Sequence, residues 1–464
     1  MILLRGCFCL VRPEGGDLSG VDLLVDGNRI AKIGRNLAAP EGVMAIDASR
    51  HVVTAGFVNT HHHFFQTLTR NLPAVQNAKL FDWLVYLYEI WKGVDEEAVY
   101  WASSLAMAEL LLTGCTCTTD HHYLYPQELS GDLPGVQFEA AASLGIRFAP
   151  TRGSMSRSKK DGGLPPDSCV QGEERILSES EAVIRRFHDP SEGSMRRVAL
   201  APCSPFSVSR ELMIETARLA RRHGVRLHTH LAETADEEEY CLSTYGLRPL
   251  ELMEECEFIG SDVWYAHGIF FSDREIDTLA RTGTGVAHCP SSNMRLGSGI
   301  CRVRDLLDRG APVGIGVDGS ASNDSSDMLG ELRQALLLQR VRYGAGGLTA
   351  REAYRMASAS GARMLGFEKL GTLAEGMIAD IALFDVQRLE YTGGLSDPSA
   401  ALLFCGYNHA ADWVIVNGRV AVEHGRLSGG QEEEIRKNAG RVSQRLLERA
   451  GIAQRGMAPK GTEG

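Results

Sequence analysis

Val58-Asn59-Thr60-His61-His62-His63 follows directly on an apolar run at residues 52–57. The run has the length and apolar character of a buried strand, so we expect the histidines to lie at the end of that strand. Because side chains alternate along a strand, His61 and His63 point to one side and His62 points to the other. Two imidazoles on one side of a strand end suit a borderline transition metal such as zinc, although a polar strand end is the simpler alternative.

The composition indicates an ordinary globular protein. The 464 residues are 44% hydrophobic and 23% charged, and a chain of this length predicts a large barrel with a smaller appendage. The formal net charge of −11 argues against nucleic acid or an anionic membrane surface as the main partner. The eleven cysteines form no Cys-x-x-Cys pair, and no apolar stretch approaches a membrane span or a secretory signal. We therefore expect reduced thiols and a cytoplasmic location.

Hairpin patterns occur near both ends of the chain. Asp26-Gly27-Asn28 separates two strand-like segments near the start, and Asn417-Gly418 does the same near the end. We expect the two regions to pair into one β-sandwich, formed by residues 1–55 and by residues 370–464, the latter with a terminal helix. Two unrelated β flaps are the alternative.

The middle of the chain, residues 56–369, alternates short apolar strands with helical segments, which is the signature of βα units around a parallel sheet. Capping-box patterns at Thr234-Ala235-Asp236-Glu237 and Ser272-Asp273-Arg274-Glu275 predict two of the helix starts. Eight strands can be counted, the number of a closed barrel, so the predicted fold is an α/β protein with a distorted (β/α)8 TIM-type barrel and a small β-sandwich built from both chain ends. The eight segments lie at residues 52–63, 115–119, 146–150, 198–202, 225–230, 263–267, 285–288 and 313–318.

Two segments interrupt this alternation. Residues 64–91 are rich in aromatic side chains, and residues 153–172 are rich in Gly, Ser, Lys and Pro. Both follow strands, so both belong to the face of the barrel where loops form the site. We expect the first to be a helical wall and the second a mobile lid. Ordinary helical packing or a subunit contact is the alternative for the aromatic segment, and a subunit contact would make the protein a homo-oligomer.

Polar residues at the carboxyl ends of barrel strands face the active site. We assign His61, His63, His230 and Asp318 as metal ligands, because three imidazoles and one carboxylate make a four-ligand site for zinc. His228 has the same parity as His230 but lies one layer deeper, so we interpret it as barrel filling. The polar strand-end residues, in chain order, are His61, His63, His230, His267, His288 and Asp318.

Two further residues suit proton transfer. Glu233 lies three residues past His230, where a carboxyl group protected from water could hold a proton and donate it to a substrate nitrogen. A helix N-terminal carboxylate favoured by the helix dipole is the alternative. His267 is placed to orient or deprotonate water on the metal, and zinc lowers the pKa of such water from 15.7 to about 7. A non-catalytic binding protein would need neither group beside an open metal position.

These motifs together resemble the amidohydrolase superfamily, specifically its mononuclear aminohydrolase branch, over nearly the whole chain. One departure is Ala55 before Gly56, where many members have proline. The resemblance implies a metal-dependent hydrolase acting on the C–N bonds of cyclic amidines. The motifs are Thr54-Ala55-Gly56-Phe57-Val58-Asn59-Thr60-His61-His62-His63, Leu227-His228-Thr229-His230-Leu231-Ala232-Glu233-Thr234, Ala266-His267-Gly268, His288-Cys289-Pro290-Ser291-Ser292-Asn293, Gly316-Val317-Asp318-Gly319-Ser320-Ala321-Ser322-Asn323-Asp324 and Val416-Asn417-Gly418.

The resemblance also implies a mechanism. His267 and Asp318 would share the proton of a zinc-bound water, the resulting hydroxide would attack the amino-bearing carbon, and Glu233 would protonate the ring nitrogen as ammonia leaves. Binuclear relatives usually need a carboxylated lysine at a middle strand end, and residues 198–206 contain no lysine. One divalent metal ion is therefore expected, zinc by default, with iron as the alternative for nitrogen and oxygen ligands.

The segment at residues 63–73, with residues 80–84, resembles the aminohydrolases that convert 8-oxoguanine to urate and ammonia. Gln66 and Arg152 are candidates for binding the edge of such a ring, since an amide offers a donor and an acceptor and a guanidinium offers a fork of donors. A plain helix residue and an ion-pair partner are their respective alternatives. Aminohydrolases or dechlorinases of guanine, isoxanthopterin or an s-triazine share the same skeleton and remain alternatives.

Overall fold

The computed structural model describes residues 1–127 and 131–452. Short 3-10 turns and one π-helical turn, Met356–Ser360, complete the regular structure. The strands are β1 (Ile2–Cys7), β2 (Cys9–Leu10), β3 (Val21–Asp26), β4 (Arg29–Gly34), β5 (Met44–Asp47), β6 (His51–Ala55), β7 (Phe57–Asn59), β8 (Cys115–Thr118), β9 (His121–His122), β10 (Arg147–Phe148), β11 (Thr151–Ser154), β12 (Ala199–Pro202), β13 (Arg226–Leu231), β14 (Val263–His267), β15 (Gly285–His288), β16 (Val313–Ile315), β17 (Ile381–Asp385), β18 (Trp413–Val416), β19 (Arg419–Glu423) and β20 (Arg426–Leu427).

Helices alternate with the barrel strands along the chain. The α-helices are α1 (Leu80–Trp91), α2 (Glu96–Leu112), α3 (Leu133–Leu144), α4 (Glu173–Phe187), α5 (Arg210–His223), α6 (Ala235–Tyr245), α7 (Pro249–Glu255), α8 (Asp273–Thr282), α9 (Pro290–Arg295), α10 (Val303–Asp308), α11 (Ser320–Asn323), α12 (Met328–Tyr343), α13 (Ala350–Arg355), α14 (Gly361–Met364), α15 (Pro398–Phe404) and α16 (Glu432–Arg449). None of the helices in the described part of the chain combines enough length and apolar character to cross a lipid bilayer.

The barrel is a ring of parallel strands. From β7 the ring runs through β16, β15, β14, β13 and β12 to β11, and β7 also pairs with β8. The ring closes because two strands are each interrupted once. β8 and β9 belong to one strand, β10 and β11 to the next, and these two strands pair as β8 with β10 and β9 with β11. The predicted fold, an eight-stranded barrel of TIM type, is confirmed.

The first barrel strand differs from the prediction. The apolar run at residues 52–57 is divided at Gly56: β6 pairs antiparallel with β17 outside the barrel, and β7 enters the ring. A Cβ atom at Gly56 would lie 2.2 Å from Thr116 Oγ1, so the chain can make this close crossing only without a side chain. One apolar run thus serves two sheets, which hydrophobicity alone could not show.

The two chain ends pair as expected. The six-stranded sheet has the order β2-β6-β17-β18-β19-β20 and therefore mixes strands from both ends, while β4-β3-β1-β5 forms a second sheet. Apolar side chains of both sheets, including Leu4, Leu23, Ile381 and Ile415, form one buried cluster between them. The sandwich prediction is confirmed. The division at residues 1–55, 56–369 and 370–464 stays a prediction, and residues 453–464 lie outside the described part.

A buried ion pair joins the sandwich to the barrel. Arg147 Nη2 of β10 donates to Asp380 Oδ1 at 3.0 Å, and neither side chain is exposed. The same carboxylate accepts a hydrogen bond from the backbone N–H of Asn417 at 2.7 Å, so the turn of the C-terminal hairpin is fixed to the same point. The positions of the two chain ends are thereby set relative to the strands that carry the site.

Candidate active site

Three imidazoles converge where β7 and β13 end. The Nδ1 atom of His63 lies 2.8 Å from the His121 carbonyl oxygen, and that of His230 lies 2.6 Å from the Cys203 carbonyl oxygen. A carbonyl oxygen can only accept, so each Nδ1 carries the proton and each Nε2 presents a lone pair. The two Nε2 atoms are 3.0 Å apart. Two lone pairs at that distance repel each other unless a cation lies between them.

His61 is fixed through a second histidine. His228 Nδ1 donates to the Trp264 carbonyl oxygen at 2.9 Å, so its Nε2 is an acceptor, and that Nε2 lies 2.9 Å from His61 Nδ1. His61 Nδ1 therefore donates, and its Nε2 is left as a lone pair. Although buried, this Nε2 has no hydrogen-bond partner among the described residues. Outer partners of this kind set the tautomer and the direction of a metal-binding imidazole.

Asp318 completes the cluster from the end of β16. Its Oδ1 atom lies 3.4 Å from both His61 Nε2 and His63 Nε2. A tetrahedral site with bonds of about 2.0 Å places its ligand atoms about 3.3 Å apart, which agrees with these separations. Three nitrogen lone pairs and one carboxylate oxygen form the donor set of a divalent ion such as zinc. The four residues predicted as ligands are thus together, and they fit a metal.

The protonation states suit a metal as well. Burial lowers the pKa of His63 to about 3, and burial together with the neighbouring imidazoles lowers the pKa of His230 well below its ordinary value. For Asp318 burial acts in the opposite direction, but the surrounding imidazoles hold its pKa well below the ordinary value. At neutral pH His63 and His230 are therefore neutral and Asp318 is ionised, the forms that bind metal.

Glu233 lies beside the cluster in the turn after β13. The residue is 5% exposed, and burial, with smaller contributions from the charges of Asp318 and Glu237, raises its pKa well above the ordinary value. Among the hydrogen bonds of the described residues, none ends on this carboxyl group, and His267 Nε2 lies 3.4 Å from Oε2. A buried carboxyl group without donors is held in its protonated form and can act as an acid.

His267 stands at the end of β14 with a φ of +74°, a left-handed conformation that is unfavourable for a residue with a side chain. Its ring is oriented by Asn293, whose Nδ2 atom lies 3.0 Å from His267 Nδ1. Ligand-type atoms of His267, His61 and Asp318 all lie within 4.8 Å of one another. The imidazole therefore reaches the same point as the metal cluster, where it can exchange a proton with a bound molecule.

A cavity opens over these groups. Its lining combines Glu233, His267 and Asp318 with apolar residues, so a ring can contact the polar groups while the apolar residues exclude water. The helical wall expected at residues 64–91 is present as α1, and it supplies four of the lining side chains. The apolar and aromatic lining consists of Leu80, Trp83, Leu84, Tyr88, Tyr123, Phe206 and Leu296.

The two predicted substrate-binding residues lie in different places. Gln66 lines the cavity, and its buried Oε1 atom has no hydrogen-bond partner among the described residues. Arg152 lines a separate cavity, and its guanidinium is bonded to Gln171 and Glu179 at 2.7 Å each. The structure therefore brings Gln66 to the site and leaves Arg152 as an ion-pair partner, the alternative considered from the sequence.

Several functional positions were missed from the sequence. His228 was interpreted as barrel filling, whereas it orients His61; its spacing from His230, equal to that between His61 and His63, was the available signal. Asn293 ends the motif at residues 288–293, but the sequence alone does not indicate its contact with His267. Trp83 lines the cavity, and its buried Nε1 donor has no partner among the described residues. The spacing of residues within an aromatic segment could not indicate this role.

Comparisons with known proteins identify the family of the chain. Residues 52–424 match the amidohydrolase family. The chain is 48% identical to an 8-oxoguanine deaminase of Pseudomonas aeruginosa, with 92% of this chain and 94% of the relative aligned. It is 37% identical to an isoxanthopterin deaminase from an unknown prokaryotic organism, with 92% of each chain aligned.

Solved structures show the same fold. An atrazine chlorohydrolase of Arthrobacter aurescens, crystallised with zinc, superposes with a TM-score of 0.92 at 31% identity, over 96% of this chain and all of the other. The match to the family covers most of the sequence, and the relatives align over almost their full lengths. The chain therefore belongs to the amidohydrolase family.

Proposed function

We propose that this protein is a zinc-dependent hydrolytic deaminase that converts 8-oxoguanine and water to urate and ammonia. His61, His63, His230 and Asp318 would hold the zinc ion. The observation that carries the proposal is the buried Glu233 carboxyl group, which accepts no hydrogen bond from residues 1–127 and 131–452 and faces His267 at 3.4 Å beside the four-residue cluster. An acid, a base and a metal-binding cluster around one cavity are the parts that hydrolytic deamination requires.

Each residue has a role in the proposed reaction. When bound, the metal supplies Lewis acidity that makes water a nucleophile at neutral pH. Asp318 accepts the proton of the attacking water, which His267 orients, because its Nδ1 accepts from Asn293 Nδ2 and its Nε2 therefore carries a proton. Glu233 delivers its proton to the ring nitrogen next to the amino-bearing carbon. The proton on Asp318 passes to the amino group, ammonia leaves as the C–N bond breaks, and the remaining hydroxyl proton returns to Glu233. The apolar lining of the cavity excludes bulk water, so that these proton transfers are confined to the named groups.

The choice of ring rests on similarity and on two unpaired polar atoms. The deaminase of Pseudomonas aeruginosa, 48% identical, acts on 8-oxoguanine by its name. In this chain Gln66 Oε1 is a buried acceptor and Trp83 Nε1 a buried donor, both on the cavity and both without a partner among the described residues. An oxopurine carries N–H donors and carbonyl acceptors on its edges and would pair with both. Leaving such groups unpaired is unfavourable, so they favour a ring of this polarity.

Isoxanthopterin is the second candidate, because a 37% identical relative is named for it. The same four ligands, Glu233 and His267 would serve either ring. Guanine and hydroxylated triazines would also use the same polar groups, and only the fit to the wall of α1 would differ. The polar groups therefore define the reaction, and the wall defines the ring.

A substrate panel tests the proposal. Metal-replete protein is incubated with 8-oxoguanine, guanine, isoxanthopterin and a hydroxylated triazine, and ammonia release is followed. We expect 8-oxoguanine to have the largest kcat/KM. A larger value for another ring would reassign the substrate, and no ammonia from any ring would remove the deaminase proposal.

Two substitutions test the recognition of the ring. Trp83→Phe removes only the indole donor and Gln66→Ala removes the amide, so each should lower kcat/KM for 8-oxoguanine by about 5- to 100-fold, the effect of leaving one buried polar partner unpaired. Arg152→Met is the matched control, because its guanidinium is engaged away from the cavity. Unchanged kinetics for either variant would remove that residue from the ring's binding site.

Location and assembly remain proposals. Ten of the eleven cysteines are buried and all are free, which suits a reducing compartment such as the cytoplasm. The negative net charge favours a small-molecule substrate and no nucleic acid. The aromatic side chains of residues 64–91 are buried or half-buried within the chain, so the expected homo-oligomer, which stays a proposal, would form through another surface. Light scattering coupled to size exclusion would show a mass above 50.5 kDa if it forms.

A further inference from the structure

We infer that Glu237 is a positioning residue for catalysis: its carboxylate holds the backbone turn that carries Glu233 and thereby places the proton donor. The inference rests on the proposed function of Glu233 and adds a residue to it. Glu237 is the third residue of α6, its side chain is only 1% exposed, and it contacts no residue of the metal cluster through a hydrogen bond among the described residues.

The carboxylate binds two consecutive amides. Glu237 Oε1 accepts the N–H of Ala232 at 2.9 Å, and Oε2 accepts the N–H of Glu233 at 2.9 Å. Each oxygen thus has one donor, and both donors belong to the turn between β13 and α6. A carboxylate that bridges neighbouring amides fixes the orientation of the peptide unit between them. That peptide leads directly into the Glu233 side chain.

The arrangement departs from the capping box that the sequence predicts. Half of the box is present, since the Glu237 amide donates to Thr234 Oγ1 at 3.4 Å. In an ordinary box the glutamate would accept the amide of the cap residue itself. Glu275 of α8 does so, accepting the Ser272 amide at 2.7 Å. Glu237 instead reaches one and two residues further back, to the catalytic turn, so its carboxylate serves that turn more than the helix end.

The turn needs such support because it is strained. Ala232 has a φ of +54°, in the left-handed region that is unfavourable for a residue with a Cβ atom. Its carbonyl oxygen accepts the amides of Ile269 and Phe270 at 2.8 and 3.0 Å, in the loop that follows His267. The strained residue therefore connects the loops of both proposed proton carriers. Strained backbone of this kind persists only where surrounding contacts fix it.

Glu237→Gln tests the inference. The amide keeps one acceptor oxygen but turns a donor toward the second backbone N–H, so one half of the clamp is lost at nearly constant volume. We expect kcat to fall about 10- to 100-fold, with KM within about twofold and metal content unchanged, because a displaced catalytic group slows the chemical step without removing binding contacts. Hydrogen–deuterium exchange at the amides of Ala232 and Glu233 should become faster.

Glu352→Gln is the control, because Glu352 is the capping-box glutamate of α13 and its partners, the Thr349 backbone N–H and Arg304, lie away from the catalytic turn. At a comparable loss of melting temperature it should keep kcat. Ala232→Gly in the Glu237→Gln background should recover part of kcat, since glycine adopts the left-handed conformation without the clamp; this double variant also serves if the single one folds poorly.

The outcomes separate this inference from the proposed function. Unchanged kcat and unchanged exchange in Glu237→Gln would overturn the inference, and so would an equal loss of kcat in Glu352→Gln. If the wild-type protein releases no ammonia from any ring of the panel, the proposed function fails. Hydrogen–deuterium exchange at the amides of Ala232 and Glu233 then tests the role of Glu237 by itself. Unchanged exchange in Glu237→Gln would overturn the inference.

Discussion

Asp380 and Glu233 both carry buried carboxyl groups, but the surroundings of the two groups are opposite. At the junction of sandwich and barrel, Asp380 accepts from the Arg147 guanidinium at 3.0 Å and from the Asn417 amide at 2.7 Å. At the mouth of the barrel, Glu233 accepts no hydrogen bond from any described residue. A carboxylate whose oxygens are satisfied holds structure together, whereas one left without donors keeps a proton and can transfer it. The comparison distinguishes a carboxyl group that stabilises the fold from one that can transfer a proton.

The largest expected effect is on turnover at Glu233. Glu233→Gln keeps the volume and removes the transferable proton, so kcat should fall by about 10²- to 10⁴-fold, the usual contribution of a general acid. Ammonia release under saturating substrate measures it. Melting temperature and metal content should match the wild type, because no hydrogen bond of the carboxyl group is lost. A decrease in kcat of less than tenfold would contradict the role of Glu233 as the acid.

Asp380→Asn should show the converse behaviour. The variant leaves the fully buried Arg147 without its counter-charge, and breaking a buried ion pair in this way lowers the free energy of unfolding by about 3–5 kcal/mol. Urea unfolding measures the loss, and the folded fraction should keep its kcat and KM. If Asp380→Asn reduced kcat as Glu233→Gln does while stability stayed the same, the distinction between the two carboxylates would be lost.

A third buried carboxylate provides a smaller and finer test. Glu331 accepts the Ser291 amide and the Asn323 side chain, yet burial raises its pKa from 4.5 to about 8. The folded state then binds the proton more tightly than the unfolded state between these values, so the free energy of unfolding falls as the pH rises from 4.5 to 8. Glu331→Gln removes this titration.

The measurement is urea unfolding of both proteins at pH 5, 6.5 and 8. The stability of Glu331→Gln relative to the wild type should increase with pH. If the free energies of unfolding of the two proteins changed with pH in parallel, hydrogen bonding and not burial would control the pKa of Glu331. Glu331 would then be a structural carboxylate like Asp380.

Much of the barrel could be predicted from the sequence, because its strands are short apolar runs that end in polar residues. The positions of the proposed ligands followed from the same pattern, since parity along a strand places His61 and His63 on one side and the end of the strand places His230 and Asp318 at the mouth. The sandwich followed from the hairpin turns at Gly27 and Gly418.

What could not be predicted depends on contacts between distant segments or on backbone conformation. The division of the apolar run at Gly56 depends on the close approach of Thr116. The ion pair that keeps the Arg152 guanidinium away from the cavity depends on Glu179. The left-handed conformation of Ala232, which makes the clamp by Glu237 necessary, carries no sequence signature because alanine rarely adopts it. Local patterns thus predict which residues reach the mouth, and tertiary contacts decide which of them are free to react.

The most direct test of the account is the metal content of the purified protein and of its His230→Ala variant. We predict one zinc ion per wild-type chain. In the variant we expect most of the metal and most of the ammonia-releasing activity to be lost. Metal analysis with parallel activity assays measures both. Two ions per chain, or a variant that keeps its full metal content and turnover, would contradict a single ion held by His61, His63, His230 and Asp318.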